Sequence, residues 1–180
     1  MQSFDFINNH RCSGTDFSEF CLDCYSLTKL PDNLDTSKGT NFYEFCYECQ
    51  SLTKLPDSLD TSKGTDFDGF CAFCYSLTKL PDNLDTSSGT SFGNFCAFCY
   101  SLTKLPDSIV TSSVTDFSGF CDECYSLTKA NIILPADYDL GTLYHSNKLT
   151  VASMRYIADH APTTSGYTLT IGSTNIERAN

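Results

Sequence analysis

Residues 14–38 read GTDFSEFCLDCYSLTKLPDNLDTSK, and the same stretch is written three more times with few changes, at 39–63, 64–88 and 89–113. A fifth copy starts at Val114, runs true to Lys129 and then breaks into ANIILPADYDL. The period is 25 residues with no slippage. Self-similarity of this length at a fixed period marks a solenoid, in which each unit buries its apolar face only against its neighbours.

One copy carries its own local instructions. Phe17, Phe20, Cys21 and Cys24 fall at i, i+3, i+4 and i+7, one stripe of a short helix, with Ser18, Glu19, Leu22 and Asp23 on the other side. Thr15 or Asp16 stands where an N-cap belongs, with Glu19 a turn later. YSLTKLP, residues 25–31, has strand length and ends on a proline that stops it. Leu34 follows the Pro31-Asp32-Asn33 turn, and Thr36-Ser37-Lys38-Gly39 reads as the loop returning the chain to the next unit. Each unit is therefore expected to be one short strand, one turn and one short helix.

Stacking in register turns every position into a column. Leu27, Leu52, Leu77, Leu102 and Leu127 are expected inside, as are Leu30, Leu55, Leu80 and Leu105. Two phenylalanine columns, headed by Phe17 and Phe20, and two cysteine columns run beside them. Strands about 4.8 Å apart would give a parallel sheet roughly 20–25 Å wide. Each buried Leu or Phe contributes roughly 1.5–3 kcal/mol, enough over five copies for a core without disulfides.

Cys24-Tyr25-Ser26-Leu27-Thr28, Asp35-Thr36-Ser37 and the Phe/Cys segment, repeated through 14–138, resemble the BspA-like leucine-rich repeats of bacterial surface proteins. Val114-Thr115 matches the Val-Thr of that pattern where the earlier copies have Gly-Thr. In two respects the chain departs from it. The first cysteine of each pair stands where the family commonly has an aromatic, and the turn after the strand is a residue shorter and contains proline. The resemblance implies an α/β fold, a right-handed leucine-rich-repeat solenoid with one short parallel strand and one short helix per repeat. It fixes no ligand, because one scaffold hosts many functions.

The ends are atypical. Residues 1–13 form a degenerate half repeat whose Phe4, Phe6 and Ile7 suit an N-terminal cap, and they lack the segments of a signal peptide. The expectation is a fragment of a longer exported product, or display by another route such as a phage particle. Ile132, Ile133 and Leu134 suggest one more strand before Pro135. Residues 139–180 are expected to be a C-terminal helix-strand cap. Thr150 caps a helix with Val151, Met154, Ile157 and Ala158 on one face, and Tyr167 to Ile171 alternates as a strand. This segment also resembles the C-terminal part of BspA-like proteins from gut bacteria and their phages.

Composition narrows function. The net charge of −11 argues against nucleic acid or an anionic membrane as partner, and no run of about 18 apolar residues offers a membrane span. His10, His145 and His160 are scattered in the ends, without a hydrolase, zinc-protease or phosphate-loop motif. Carboxylates recur in every unit, whereas a catalytic site is normally unique, so an enzyme is not expected.

Two sets of residues remain. Lys29, Lys54, Lys79, Lys104 and Lys129 would line the sheet face, with Tyr25, Tyr75, Tyr100 and Tyr125 in a neighbouring column interrupted by Gln50. Rows headed by Asp32 and Asp35 offset the lysine charge. These columns are the expected binding surface for a protein or glycan partner, at a bacterial surface or on a virion, with no cofactor. The second set is the C-x-x-C pairs Cys21/Cys24, Cys46/Cys49, Cys71/Cys74, Cys96/Cys99 and Cys121/Cys124, with Cys12 as an odd eleventh. Their spacing admits zinc or iron, but their place on the apolar stripe favours a ladder of small buried hydrophobes. A spacer or assembly module is a third reading. Oligomeric state is not legible.

Overall fold

A computed structural model describes residues 14–133, 143, 145, 146 and 148–160. The half repeat at 1–13, with His10 and Cys12, lies outside the described residues, as do Leu134 and the strand expected from Tyr167 to Ile171.

The described copies wind one turn per 25 residues. Asp16, Asn41, Asp66, Ser91 and Asp116 form a parallel ladder of single-residue bridges, and Lys54–Lys79 and Lys104–Lys129 form bridges on a second line. The solenoid is therefore present, but neither element expected within a copy is.

In place of a helix, residues 17–24 make successive tight turns. Glu19 and Asp23 have φ of 55° and 60°, and their equivalents Glu44, Glu48, Gly69, Phe73, Asn94, Phe98, Gly119 and Glu123 also lie in the left-handed region. The amides then divide by alternation. Those of Phe17, Glu19, Cys21 and Asp23 donate to Asn41, Tyr43, Phe45 and Tyr47 of the next turn at 2.8–3.0 Å. Between them, Leu22 and Cys24 donate three residues back, to Glu19 and Cys21. Beyond its first turn a helix spends its amides within itself; here they alternate, and every second one joins the adjacent turn. Left-handed residues four apart leave an inward repeat close to the helical 3.6, which is why the same apolar spacing serves both. Asp16 does act as a local cap, but of a turn: its Oδ1 accepts the Ser18 N–H at 3.0 Å.

The expected strand at 25–31 contracts to isolated bridges. The amide of Thr53 donates to Thr28, that of Thr78 to Thr53, that of Thr103 to Thr78 and that of Thr128 to Thr103. Three positions later the prolines 56, 81 and 106 have no N–H to continue such a ladder.

The core is laid down in columns, as expected. Phe17, Phe42, Phe67 and Phe92 stack at 5.1–5.6 Å, and Phe20, Phe45, Phe70, Phe95 and Phe120 at 5.1–5.4 Å. The two columns meet edge to face, as at Phe67–Phe70, 5.7 Å and 74°. Such pairs add about 0.5–1.5 kcal/mol each beyond their burial. The glycines opening the second, third and fourth copies make room: a Cβ on Gly89 would sit 2.4 Å from Phe92 Cζ. In the fifth copy Val114 takes that place, and Phe117 instead lies nearly parallel to Phe120 at 4.1 Å and 22°.

Thr36, Thr61, Thr86 and Thr111, placed by sequence in a return loop, are buried. Thr36 Oγ1 donates to the Asp60 carbonyl at 2.8 Å and accepts the Asp60 N–H at 2.9 Å. Thr86 does the same with Val110, at 3.3 and 2.9 Å. Thr61 donates to Asp85 and Thr111 to Ile133. A hydroxyl that both gives and takes satisfies two main-chain groups at one buried seam between turns.

The helix expected after Thr150 is present as α1, Val151–Asp159, with the Thr150 side chain accepting the Ser153 N–H. Met154 and Ile157 enter the common core with Leu143 and Leu149, and Val151 packs at its edge. Ala158 is exposed, and Ser153 takes the inward place instead. Its Oγ accepts the Ala130 N–H at 3.2 Å, a main-chain donor that alanine could not satisfy. The Thr150 amide donates to Thr128 at 2.8 Å and carries the threonine ladder one rung further. No helix among the described residues is long and apolar enough to cross a membrane.

Candidate functional site

Lys29, Lys54 and Lys79 are exposed, and Lys104 and Lys129 are half-exposed. Stacking supplies counter-charges from the turn before. Lys104 Nζ meets Asp82 and Lys129 Nζ meets Asp107, each at 2.7 Å. Hydrogen bonding from the lysines holds both carboxyls below the usual carboxylate range. Exposed pairs of this kind contribute about 0–1 kcal/mol each. Their effect here is to turn a row of positive charge into a row of alternating sign.

The tyrosine column is different in kind. Tyr75 stacks on Tyr100 at 5.0 Å and 5°, and Tyr100 on Tyr125 at 5.4 Å and 17°. Tyr25 is 48% exposed and Tyr125 42%. Because ring faces are spent on one another along the axis, the stack presents edges and hydroxyls outward. A second aromatic column lies beside it: Phe73 and Phe98 stack at 4.5 Å and meet Tyr75 and Tyr100 edge-on at 6.4 Å. Tyr47 extends that column, 5.2 Å from Phe73.

Carboxylates surround these aromatics. Tyr125 donates to Glu123, which pushes its phenol up to about 12. A hydrogen bond to Glu44 raises Tyr43 to about 12 as well. His145 Nδ1 lies 3.0 Å from Asp122 Oδ1 and 3.6 Å from Glu123 Oε1.

The cysteines lie on the inner side. All ten described cysteines are free thiols, and nine of them are buried, Cys24 being half-buried. The thiols of Cys49, Cys74, Cys99 and Cys124 donate to the carbonyls of Cys21, Cys46, Cys71 and Cys96, each at 3.1 Å. Burial pushes the thiols of Cys46, Cys71, Cys96, Cys99 and Cys121 far above their ordinary range, and Cys74 to about 11. One trio converges among the described residues: the sulfurs of Cys96, Cys121 and Cys124 lie within 4.8 Å of one another. Three thiols at that spacing could ligate a thiophilic metal once deprotonated; burial disfavours that step at Cys96 and Cys121, while hydrogen bonds from Cys121 and Cys96 bring Cys124 down to about 5.

The sequence reading put the lysine and tyrosine columns on one surface but missed three things. These are the acid-and-histidine cluster, the Phe73/Phe98 column and the buried threonine seam. Phe73 and Phe98 sit where the first, second and fifth copies carry Asp23, Glu48 and Glu123, and that break in an otherwise constant pattern is the signal that finds them.

No family model and no curated protein matches the chain. Among solved structures it is similar to the leucine-rich repeat protein TpLRR of T. pallidum, at 17% identity and a TM-score of 0.46, over 87% of this chain and 77% of that one. It is also similar to a leucine-rich repeat protein from Eubacterium ventriosum, at 15% identity and a TM-score of 0.40, over 78% of this chain and 44% of that one. A leucine-rich repeat protein from Bacteroides ovatus follows at 18% and 0.36, over 71% of this chain and 40% of that one.

Proposed function

We propose that the chain is a non-catalytic binding module that takes a protein or glycan partner on its tyrosine and lysine columns, displayed at a bacterial surface or on a phage particle. The observation that carries this reading is the stack of Tyr75, Tyr100 and Tyr125 at the rung spacing, with Tyr75 half-buried and Tyr100 and Tyr125 exposed. Aromatic side chains of this kind lose little freedom on binding and are enriched at interfaces. The ion-paired lysines beside it supply polar contacts of both signs. A screen on arrays of glycans and surface proteins, run beside the triple variant Tyr75→Ser/Tyr100→Ser/Tyr125→Ser, tests it. Binding that the variant loses is expected; no signal above the variant would overturn the reading.

The buried trio Cys96, Cys121 and Cys124 supports a second reading, a repeat protein that holds a thiophilic metal. Elemental analysis of protein purified without chelators separates the two: one or more zinc, iron or copper ions per chain would favour the second.

A further inference from the structure

The five copies are not uniformly alike. Phe, Cys, Ser, Leu, Thr and Lys hold their places in all of them, at positions headed by Phe17, Phe20, Cys21, Cys24, Ser26, Leu27, Thr28 and Lys29. Between these fixed points the copies change chemical class. Residues 22, 47, 72, 97 and 122 read Leu, Tyr, Ala, Ala, Asp, and residues 23, 48, 73, 98 and 123 read Asp, Glu, Phe, Phe, Glu. Inside, the changes keep to apolar residues, as at Ala72, Ala97, Ile109 and Ala130. The second of these columns lies on the strip beside the tyrosine stack, and from Glu48 to Glu123 it has an order: acid, two aromatic rungs, acid.

The spacing of that order matches one class of occupant. Equivalent rings on successive turns lie 4.5 Å apart at Phe73–Phe98 and 5.0 Å apart at Tyr75–Tyr100, close to the helical pitch of about 5.4 Å, so one helical turn spans about one rung. Three rungs separate Glu48 from Glu123, about 15 Å, or about ten residues of helix. The central rungs offer apolar surface at Phe73 and Phe98. At the fifth rung two carboxylates converge on one point, since His145 Nδ1 lies 3.0 Å from Asp122 Oδ1 and 3.6 Å from Glu123 Oε1. Stacking also disfavours a flat sugar, because the faces that a sugar ring would cover are occupied by neighbouring rings.

Resting on the binding-module reading, we propose that this strip receives an amphipathic helix of a protein partner, lying along the solenoid axis. Its apolar residues pack on Phe73 and Phe98, and a Lys or Arg at each end meets Glu48 and the Asp122/Glu123 pair. The expected ligand stripe is basic at i, apolar at i+4 and i+7 and basic at i+11. Charge complementarity with a chain of net charge −11 would speed the encounter, and the two end acids would set the register.

The test uses fluorescence anisotropy with the full chain and three labelled helical peptides: the stripe peptide, a version with its basic residues moved off the stripe, and one with Glu at both ends. The stripe peptide should bind at least tenfold more tightly than the second and a hundredfold more tightly than the third. Phe73→Ser should weaken it more than tenfold. Glu48→Lys should weaken it several-fold and recover when the facing peptide end is changed from Lys to Glu, while circular dichroism confirms an unchanged fold. Equal binding of the two basic peptides, or loss on Glu48→Lys with no recovery, would overturn the proposal. A partner found on the arrays whose binding ignores both variants would overturn this inference and leave the binding-module reading standing. No partner of any kind would overturn both.

Discussion

Replacing Thr86 by valine changes one oxygen for one methyl in a side chain that is fully buried. In the native solenoid that oxygen accepts the Val110 N–H at 2.9 Å and donates to the Val110 carbonyl at 3.3 Å. Valine keeps the shape and removes both bonds. A buried donor left without a partner costs about 1–3 kcal/mol, and the long bond to the carbonyl adds little. The extra methyl returns about 0.8 kcal/mol of transfer energy. The expected net loss is about 1–2 kcal/mol. Thr86→Ser keeps the hydroxyl and gives up a methyl, a loss of about 1 kcal/mol by the same area reasoning, so stability alone does not separate the two. Hydrogen exchange does. The Val110 amide should lose protection in Thr86→Val, while Thr86→Ser leaves it protected. Since solenoid stability is a sum of unit and neighbour-interface terms, the valine variant should also show a broadened urea transition. Wild-type stability in the valine variant, or equal protection of Val110 in both, would refute the reasoning.

Gly89→Ala should cost about 1–3 kcal/mol, because its Cβ would overlap the Phe92 ring, and adding Phe92→Leu should recover part of the loss; simple additivity in urea melts would overturn this. Asp35 and Asp60, hydrogen-bonded by Ser37 and Ser62, should titrate below 3.8 and the partly buried Asp68 above it, as read from carboxyl carbon shifts by NMR. A depressed folded value means that the unfolded chain takes the proton first. What Asp35 and Asp60 lend to stability is therefore present above about pH 4 and lost as pH falls below it, whereas Asp68 acts in the opposite sense. Among the ten described cysteines, Cys24 should react first with iodoacetamide in the native protein, and all eleven in the chain should react after denaturation. Labelling of Cys71 or Cys96 as fast as Cys24, followed by mass spectrometry, would contradict the buried ladder.

Much of the architecture was legible because an exact period is a strong constraint. Register alone put Phe42 over Phe17, Leu52 over Leu27 and Lys104 beside Lys79. Conformation within a turn was not legible. A stripe at i, i+3, i+4 and i+7 states which residues face inward, and left-handed residues at Glu19 and Asp23 meet that demand as well as a helix does. Thr36 and its equivalents read as part of a return loop, and their burial is not legible there because it rests on the hydroxyl's two bonds to a main chain 24 residues away. Lys104 pairs with an aspartate 22 residues earlier, an offset that only the pitch of the stack creates. The lysine and tyrosine columns were recognisable as columns. Their aromatic second row was hidden by the reading of Phe73 and Phe98 as the outer side of a helix.

The alternating amides also bear on how such a molecule changes over generations. Phe42 gives its N–H forward to Asp66 as Phe17 gives its own to Asn41, so every turn presents identical sockets at its leading and trailing edges. Inserting or excising one whole copy leaves each socket filled, while a gain or loss of a single residue misaligns every later column. Near-identical coding blocks invite unequal recombination, and this backbone tolerates its products only in whole copies. The length of the columned face is thereby adjustable in discrete steps, and copy-number variants differing by one complete turn are expected to fold, whereas one-residue insertions between copies are not.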